Sequence, residues 1–109
     1  DTLRWTTWYA RHLAPATTTA VVERLLKPMW GAQPDARLID DAMKEIERYT
    51  PVLDQQLAGR DWVTGAFSIA DISIGVGIEA GAAANIDWSG YKHVTAWFNR
   101  LRERPSWKA

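Results

Sequence analysis

The stretch from Ile69 to Ile86 constrains this chain most, because its only charged residues are Asp71 and Glu79 and the rest is mainly small or apolar. It opens with Ser68-Ile69-Ala70-Asp71, which has the form of a helix start. The serine hydroxyl can accept from the Asp71 N–H, and the Asp71 carboxylate can reach back to the Ser68 N–H. This is a capping box with aspartate in place of the commoner glutamate. Phe67 before the cap and Ile72 at the fourth helical position have the spacing of the accompanying hydrophobic staple. A helix apolar on every side belongs at the centre of a protein, with other helices around it. Gly75, Gly77 and Gly81 inside it each cost about 1 kcal/mol against alanine, so the pattern predicts helices packed closely over them. The same charges and glycines argue against a bilayer span, which needs about 20 predominantly apolar residues.

The remaining segments also carry helical periodicity. Trp5, Trp8, Tyr9, His12, Leu13 and Ala16 recur at three- and four-residue spacings, an aromatic stripe on one helix face. Val21, Val22, Leu25, Leu26 and Met29 continue it. Pro15 predicts a bend or a local end, and Pro28, Gly31 and Pro34 mark a loop. Asp35 has N-cap chemistry for a second helix, whose buried stripe is Leu38, Ala42, Ile46, Tyr49, Leu53 and Leu57. Asp40 and Lys44 sit one turn apart in the favourable acid-first order. Pro51 predicts a kink, or a restart with Thr50 as cap, and Gly59 a left-handed stop. After a loop through Asp87-Trp88-Ser89-Gly90, Tyr91, Val94, Trp97, Phe98 and Leu101 share one face of the last helix. Arg100, Arg102, Glu103 and Arg104 lie mostly opposite, and Pro105 ends it. No period-two alternation and no Asn-Gly or Asp-Gly hairpin turn interrupts this pattern. The expected fold is all-α, a compact bundle of four to five helices.

Length and charge narrow the function classes. A chain of 109 residues, 47% hydrophobic and 24% charged, suits one globular domain over residues 1–109. Thirteen basic residues balance thirteen acidic ones, which argues against nucleic acid or a membrane surface as partner. The absence of cysteine removes disulfides, thiolate metal sites and a cysteine nucleophile, and fits a reducing, cytoplasmic compartment. The opening Asp1-Thr2-Leu3-Arg4-Trp5 lacks the basic start and apolar run of a signal peptide. It reads as a chain entered midway, processed or cut from something longer.

The block from Leu53-Asp54 through Leu57-Ala58-Gly59-Arg60-Asp61-Trp62-Val63-Thr64-Gly65-Ala66-Phe67-Ser68-Ile69-Ala70-Asp71-Ile72 resembles the C-terminal helical domain of cytosolic glutathione transferases. So does the later pattern Tyr91, His93-Val94, Trp97-Phe98, Leu101, Arg104-Pro105. The opening Trp5-Thr6-Thr7-Trp8, with Leu13 and Pro15, is similar to the fourth helix of theta-like and other bacterial members. The resemblance covers essentially the whole chain. It implies an N-terminal thioredoxin-like domain, absent from this sequence, whose residues stabilise the glutathione thiolate. It further implies a homodimer, glutathione as cosubstrate, no covalently bound cofactor and a hydrophobic electrophilic substrate. This half would supply the substrate wall and dimer surface, and should be inactive alone. Similar helical domains also serve as non-catalytic interaction modules, in elongation factor gamma subunits and some aminoacyl-tRNA synthetases.

Candidate sites follow from residue chemistry. Ser68 and Asp71 read as fold residues, and no catalytic residue is assigned. Trp5, Trp8, Tyr9 and His12 are the substrate-pocket candidates. Helical aromatics are most often core and such a histidine most often a surface group, but together they can line a cleft facing a missing domain, as pockets favour domain interfaces. His12 and His93, without cysteine or a His-x-x-x-His spacing, make no metal site. Asp40, Asp41, Glu45 and Glu47 alternate with Lys44 and Arg48 as a solvated face. A Gly-x-Ser-x-Gly elbow and a phosphate-cradling loop are both missing. The tail from Lys92 to Lys108 holds five basic residues and one acid interleaved with aromatics, read as a solvated face rather than a nucleic-acid surface.

Overall fold

The computed structural model describes residues 2–108. Helix α1 covers residues 2–29 without a break, helix α2 covers Ala36–Leu57, α3 Ile69–Ala83, α4 Lys92–Arg102 and the short α5 Pro105–Lys108. Among the described residues, extended pairing is limited to one isolated bridge between Thr64 and Ala66. α1 packs along α2 and α3, and α4 packs on both of those. Leu13, Ile46, Leu53, Ile74, Ile78, Val94, Trp97 and Leu101 meet in the single core.

Pro15 does not end α1. Two π-helical segments, Tyr9–Leu13 and Val22–Leu26, stand two residues before Pro15 and Pro28. In them the ladder runs to the fifth residue back, from the Ala14 N–H to the Tyr9 carbonyl and from the Lys27 N–H to the Val22 carbonyl. The wider turn makes room for a ring that would otherwise crowd the carbonyl four residues back. It also shifts the helix face. Glu23 takes the buried position, while Val21, Val22, Leu25 and Leu26 are half-covered and Met29 points to solvent.

α2 likewise runs through Pro51. Thr50 is no cap: its hydroxyl donates to the Ile46 carbonyl inside the helix. Pro51 removes the donor for the Glu47 carbonyl, and both residues are exposed, so solvent can replace that bond. Asp35 caps the helix, its Oδ1 accepting from the Arg37 and Leu38 N–H groups at 3.0 and 3.2 Å. Leu38 is exposed rather than buried, because it sits at the helix end on the rim of a cleft beside α1. Asp40 and Lys44 stay solvated with no ion pair between them. Gly59, at φ +74°, turns the chain past the helix end in the left-handed conformation.

α3 carries the capping box, closed in both directions between Ser68 and Asp71. Asp71 also does more than cap. Its side chain is fully buried, Oδ2 accepts from the Ser68 N–H at 2.9 Å, and Oδ1 accepts from the Val63 N–H at 2.9 Å and the Trp97 Nε1–H at 2.8 Å. One carboxylate thus joins the 58–67 loop, the start of α3 and the middle of α4. Close packing over the glycines is present: Leu101 occupies the space of a Cβ at Gly75, Tyr9 at Gly77, and Trp88 with Ile86 at Gly81. Burial on every side is not. Ile69, Ile72 and Val76 are exposed, because the other helices cover one flank of α3 only.

Long-range polar contacts fix the remaining ends. Tyr91, the N-cap position of α4, makes no side-chain cap bond; Asp54 of α2 accepts instead from the His93 and Val94 N–H groups at 2.9 and 3.0 Å. At the end of α3, Asn85 has φ +67°, and the Ile86 and Asn85 N–H groups return to Gly81 and Ala82, a Schellman closure. Arg24 of α1 donates to the Ala84 and Asn85 carbonyls there. Trp88, placed in a loop by its neighbours, is core, its indole donating to the Ile78 carbonyl at 3.0 Å. α4 stops at Arg102, and Pro105 starts α5 instead of closing α4, as proline suits a first helical position.

Two predictions follow from these buried carboxylates. Asp71→Asn cannot satisfy three donors, since its amide NH2 must face one of them. It should destabilise by on the order of 3 kcal/mol, nearly as much as Asp71→Ala, in denaturant titration. Glu23 is held at 2.8 Å by Lys27 and at 2.7 Å by the Asp35 N–H, and these contacts, the lysine foremost, keep its carboxyl below the usual carboxylate range. The unfolded chain therefore binds this proton more readily. The contribution is complete above about pH 5 and fades as pH falls through about 4.3 and below. Glu23→Gln should flatten that part of the acid limb in melting temperature against pH; an unchanged acid limb would contradict it.

Candidate functional site

The aromatic stripe of α1 divides in two. Trp5 and Trp8 meet edge to face with centroids 5.3 Å apart, Trp8 lies 6.3 Å from His12, and His12 stacks on Tyr49 of α2 at 4.9 Å. The Arg48 guanidinium stands 5.3 Å from the Tyr49 centroid. These rings form a ladder along the junction of α1 and α2. His12 and Tyr49 line a cleft of about 310 Å³ with Arg11, Asp41 and Glu45. Trp5 lines another, of about 590 Å³, with Pro51, Val52, Gln55 and Arg60. The ladder is amphipathic: ring faces give apolar area, and the flanking residues carry both signs of charge.

Tyr9 points away from the ladder, towards α3, where its ring and hydroxyl lie on Gly77. Only a residue without Cβ permits that approach. Burial pushes the phenol above its ordinary pKa, so at neutral pH Tyr9 is a neutral hydrogen-bond donor and not a base. His12 is exposed, and Trp5, Trp8 and Tyr9 are half-buried. The structure thus brings Trp5, Trp8 and His12 together and sets Tyr9 apart from them.

Phe67, Ser68, Asp71 and Ile72 gather at the start of α3. Phe67 meets Trp62 edge to face at 5.0 Å, and Arg104 lies over both rings, 3.6 Å from the Phe67 centroid and 5.6 Å from that of Trp62. Ile72 presents much of its side chain to solvent. The acceptors of Asp71 are engaged by backbone and indole donors, a structural arrangement. Arg100 donates to the Asp61 and Arg60 carbonyls, and Arg102 stands over Phe98. Much of the basic tail is therefore held by contacts within the protein. His93 lines a separate cleft with Leu57 and Asp61, and among the described residues no three His, Asp or Glu side chains cluster as a metal site. Among the same residues, no helix is long and apolar enough to cross a membrane.

Tyr49 and Arg48 were not expected at the ladder. Periodicity assigned Tyr49 to the buried stripe of α2, and His12, inside the widened turn of α1, meets it. The spacing of Tyr49 alone could not have shown this, because the contact depends on how two helices cross.

Comparison with known proteins agrees with this architecture. The family described as "Glutathione S-transferase, C-terminal domain" matches residues 12–105. Glutathione S-transferase 1 of Zea mays is 27% identical over 106 residues, covering 94% of this chain and 49% of the maize protein. The chain therefore spans about half the length of the curated relatives it matches. A glutathione S-transferase-I structure bound with lactoylglutathione superposes with a TM-score of 0.83 at 26% identity, over 98% of this chain and 53% of the other. The maize glutathione S-transferase I complex with an atrazine glutathione conjugate superposes with a TM-score of 0.88 at 24% identity, covering 98% and 52%. The all-helical bundle, the match over most of its length and the shared sequence make this chain a member of the glutathione S-transferase C-terminal domain family.

Proposed function

We propose that this chain is the helical half of a glutathione transferase and forms the apolar wall against which an electrophile lies during glutathione conjugation. The observation that carries the reading is the family match over residues 12–105, with relatives about twice as long. Lactoylglutathione and an atrazine glutathione conjugate in the related structures support a glutathione-linked ligand. The half-exposed rings of Trp5, Trp8 and Tyr9 are suited to such a wall, because they offer large apolar faces at small entropic cost.

In the proposed reaction the glutathione thiolate attacks an electrophilic carbon. A carbon–sulfur bond forms, and the leaving group departs with the displaced electron pair. A thioredoxin-like domain preceding this one would bind glutathione and stabilise the thiolate. Tyr9, neutral at physiological pH, would donate a hydrogen bond to substrate or leaving group without taking a proton. The ladder of Trp5, Trp8 and His12 would line the apolar side or, with Tyr49 and the mixed charges around it, part of a homodimer surface. Cytoplasmic placement accords with the cysteine-free sequence.

The intact gene product should consume glutathione with an aromatic chloride electrophile, while the 109-residue chain alone should not. Tyr9→Phe and His12→Ala in the intact product should each raise KM for electrophile or glutathione by about 5-fold, the worth of one hydrogen bond. Unchanged kinetics in both would assign them to packing and surface. An intact product that neither binds nor conjugates glutathione would favour the interaction-module reading.

A further inference from the structure

The three glycines of α3 are not equivalent. Leu101, which fills the space of a Cβ at Gly75, and Trp88, which comes within 2.9 Å of one at Gly81, are both buried core residues. Those two glycines serve packing. Gly77 faces Tyr9, which is half-buried and belongs to the proposed substrate wall. A Cβ at Gly77 would fall on the Tyr9 hydroxyl oxygen and stand 2.5 Å from Cζ, while Cε1 is 3.4 Å away. The overlap is with the tip of the ring.

The backbone at Gly77 does not itself require glycine. The residue lies inside the continuous helix Ile69–Ala83, and positive φ occurs elsewhere among the described residues, at Gly31, Gly59, Gly65 and Asn85. Alanine is the better helix former at such a position. What alanine does not allow is the present place of Tyr9. An aromatic side chain has only two soft torsions, so an obstructed tip is relieved by swinging the whole ring away from α3.

We infer that Gly77 is a positioning residue for selectivity: by admitting the Tyr9 ring against α3 it sets the depth of the substrate wall and so the size of electrophile accepted. The inference rests on the transferase reading above and adds the residue that tunes it. Gly77 acts through Tyr9. With the ring drawn back onto α3, the space in front of it stays open to a bulky electrophile. A ring displaced by a side chain at position 77 fills that space and carries the hydroxyl donor with it.

The test compares a small and a bulky aryl chloride as electrophiles for the intact gene product, read as the ratio of kcat/KM for bulky over small. Gly77→Ala should lower this ratio about tenfold, the selectivity that a change of one methylene in a pocket can give. Tyr9→Leu, whose side chain ends at the δ carbons, removes the overlapping atoms and deepens the wall, so it should raise the ratio. Adding Gly77→Ala to Tyr9→Leu should leave the raised ratio where it is. Melting temperatures complete the cycle: Gly77→Ala should lower that of the unmodified product and raise it in the Tyr9→Leu background. A ratio unmoved by Gly77→Ala, or moved equally in both backgrounds, would overturn the inference. So would an unmoved ratio in Tyr9→Leu, which decides the matter even where Gly77→Ala fails to fold. An unmodified product that does not conjugate glutathione at all removes the transferase reading and the inference together. Conjugation with an unaltered ratio removes the inference alone.

Discussion

The Asp71 carboxylate accepts from Ser68, Val63 and Trp97, and those donors belong to three different parts of the chain. A buried acceptor bonded on both oxygens is stable only while every donor is in place, and each donor is costly to leave unpaired. The start of α3, the 58–67 loop and the tryptophan at the centre of α4 are therefore fixed together or not at all. Gln56 and Arg100 hold the same loop from α2 and α4 through the Val63, Asp61 and Arg60 carbonyls. Asp54 repeats the device at the start of α4, where it replaces a missing local cap. The bundle is closed by carboxylates that tie helix starts to distant segments, over a core of Leu, Ile and Trp.

Much of this was legible wherever the cause is local. The capping box at Ser68 and Asp71, the Asp35 cap, the left-handed Gly59 and the need for close neighbours at the glycines of α3 each depend on residues within a turn or two. The all-helical class followed from periodicity for the same reason. What could not be read lies at larger separation. Trp97 is 26 residues from Asp71 and His93 39 residues from Asp54, and nothing in the spacing announces either bond. Proline as a stop signal was overruled. Pro15 and Pro51 left a helix end open as one outcome, yet a π turn accommodates the first and solvent exposure the second, so both helices continue. The widened turns displaced the face of α1, which is why Met29 is exposed and Glu23 buried.

The candidate site was legible as residues but not as an arrangement. Trp5, Trp8, Tyr9 and His12 share a helix, but the rings divide between the α2 junction and Gly77 of α3, according to how three helices cross. Likewise the apolar character of α3 was evident, whereas its one-sided exposure was not. Ile69, Ile72 and Val76 stay uncovered in this bundle, and the relatives are about twice as long as the chain.

The most direct measurement is the intact mass of the native gene product. A two-domain transferase requires a product larger than this chain by a domain of about 80 residues or more. A native product of 12.3 kDa, the mass of this chain alone, would leave no polypeptide to activate glutathione and would contradict the account.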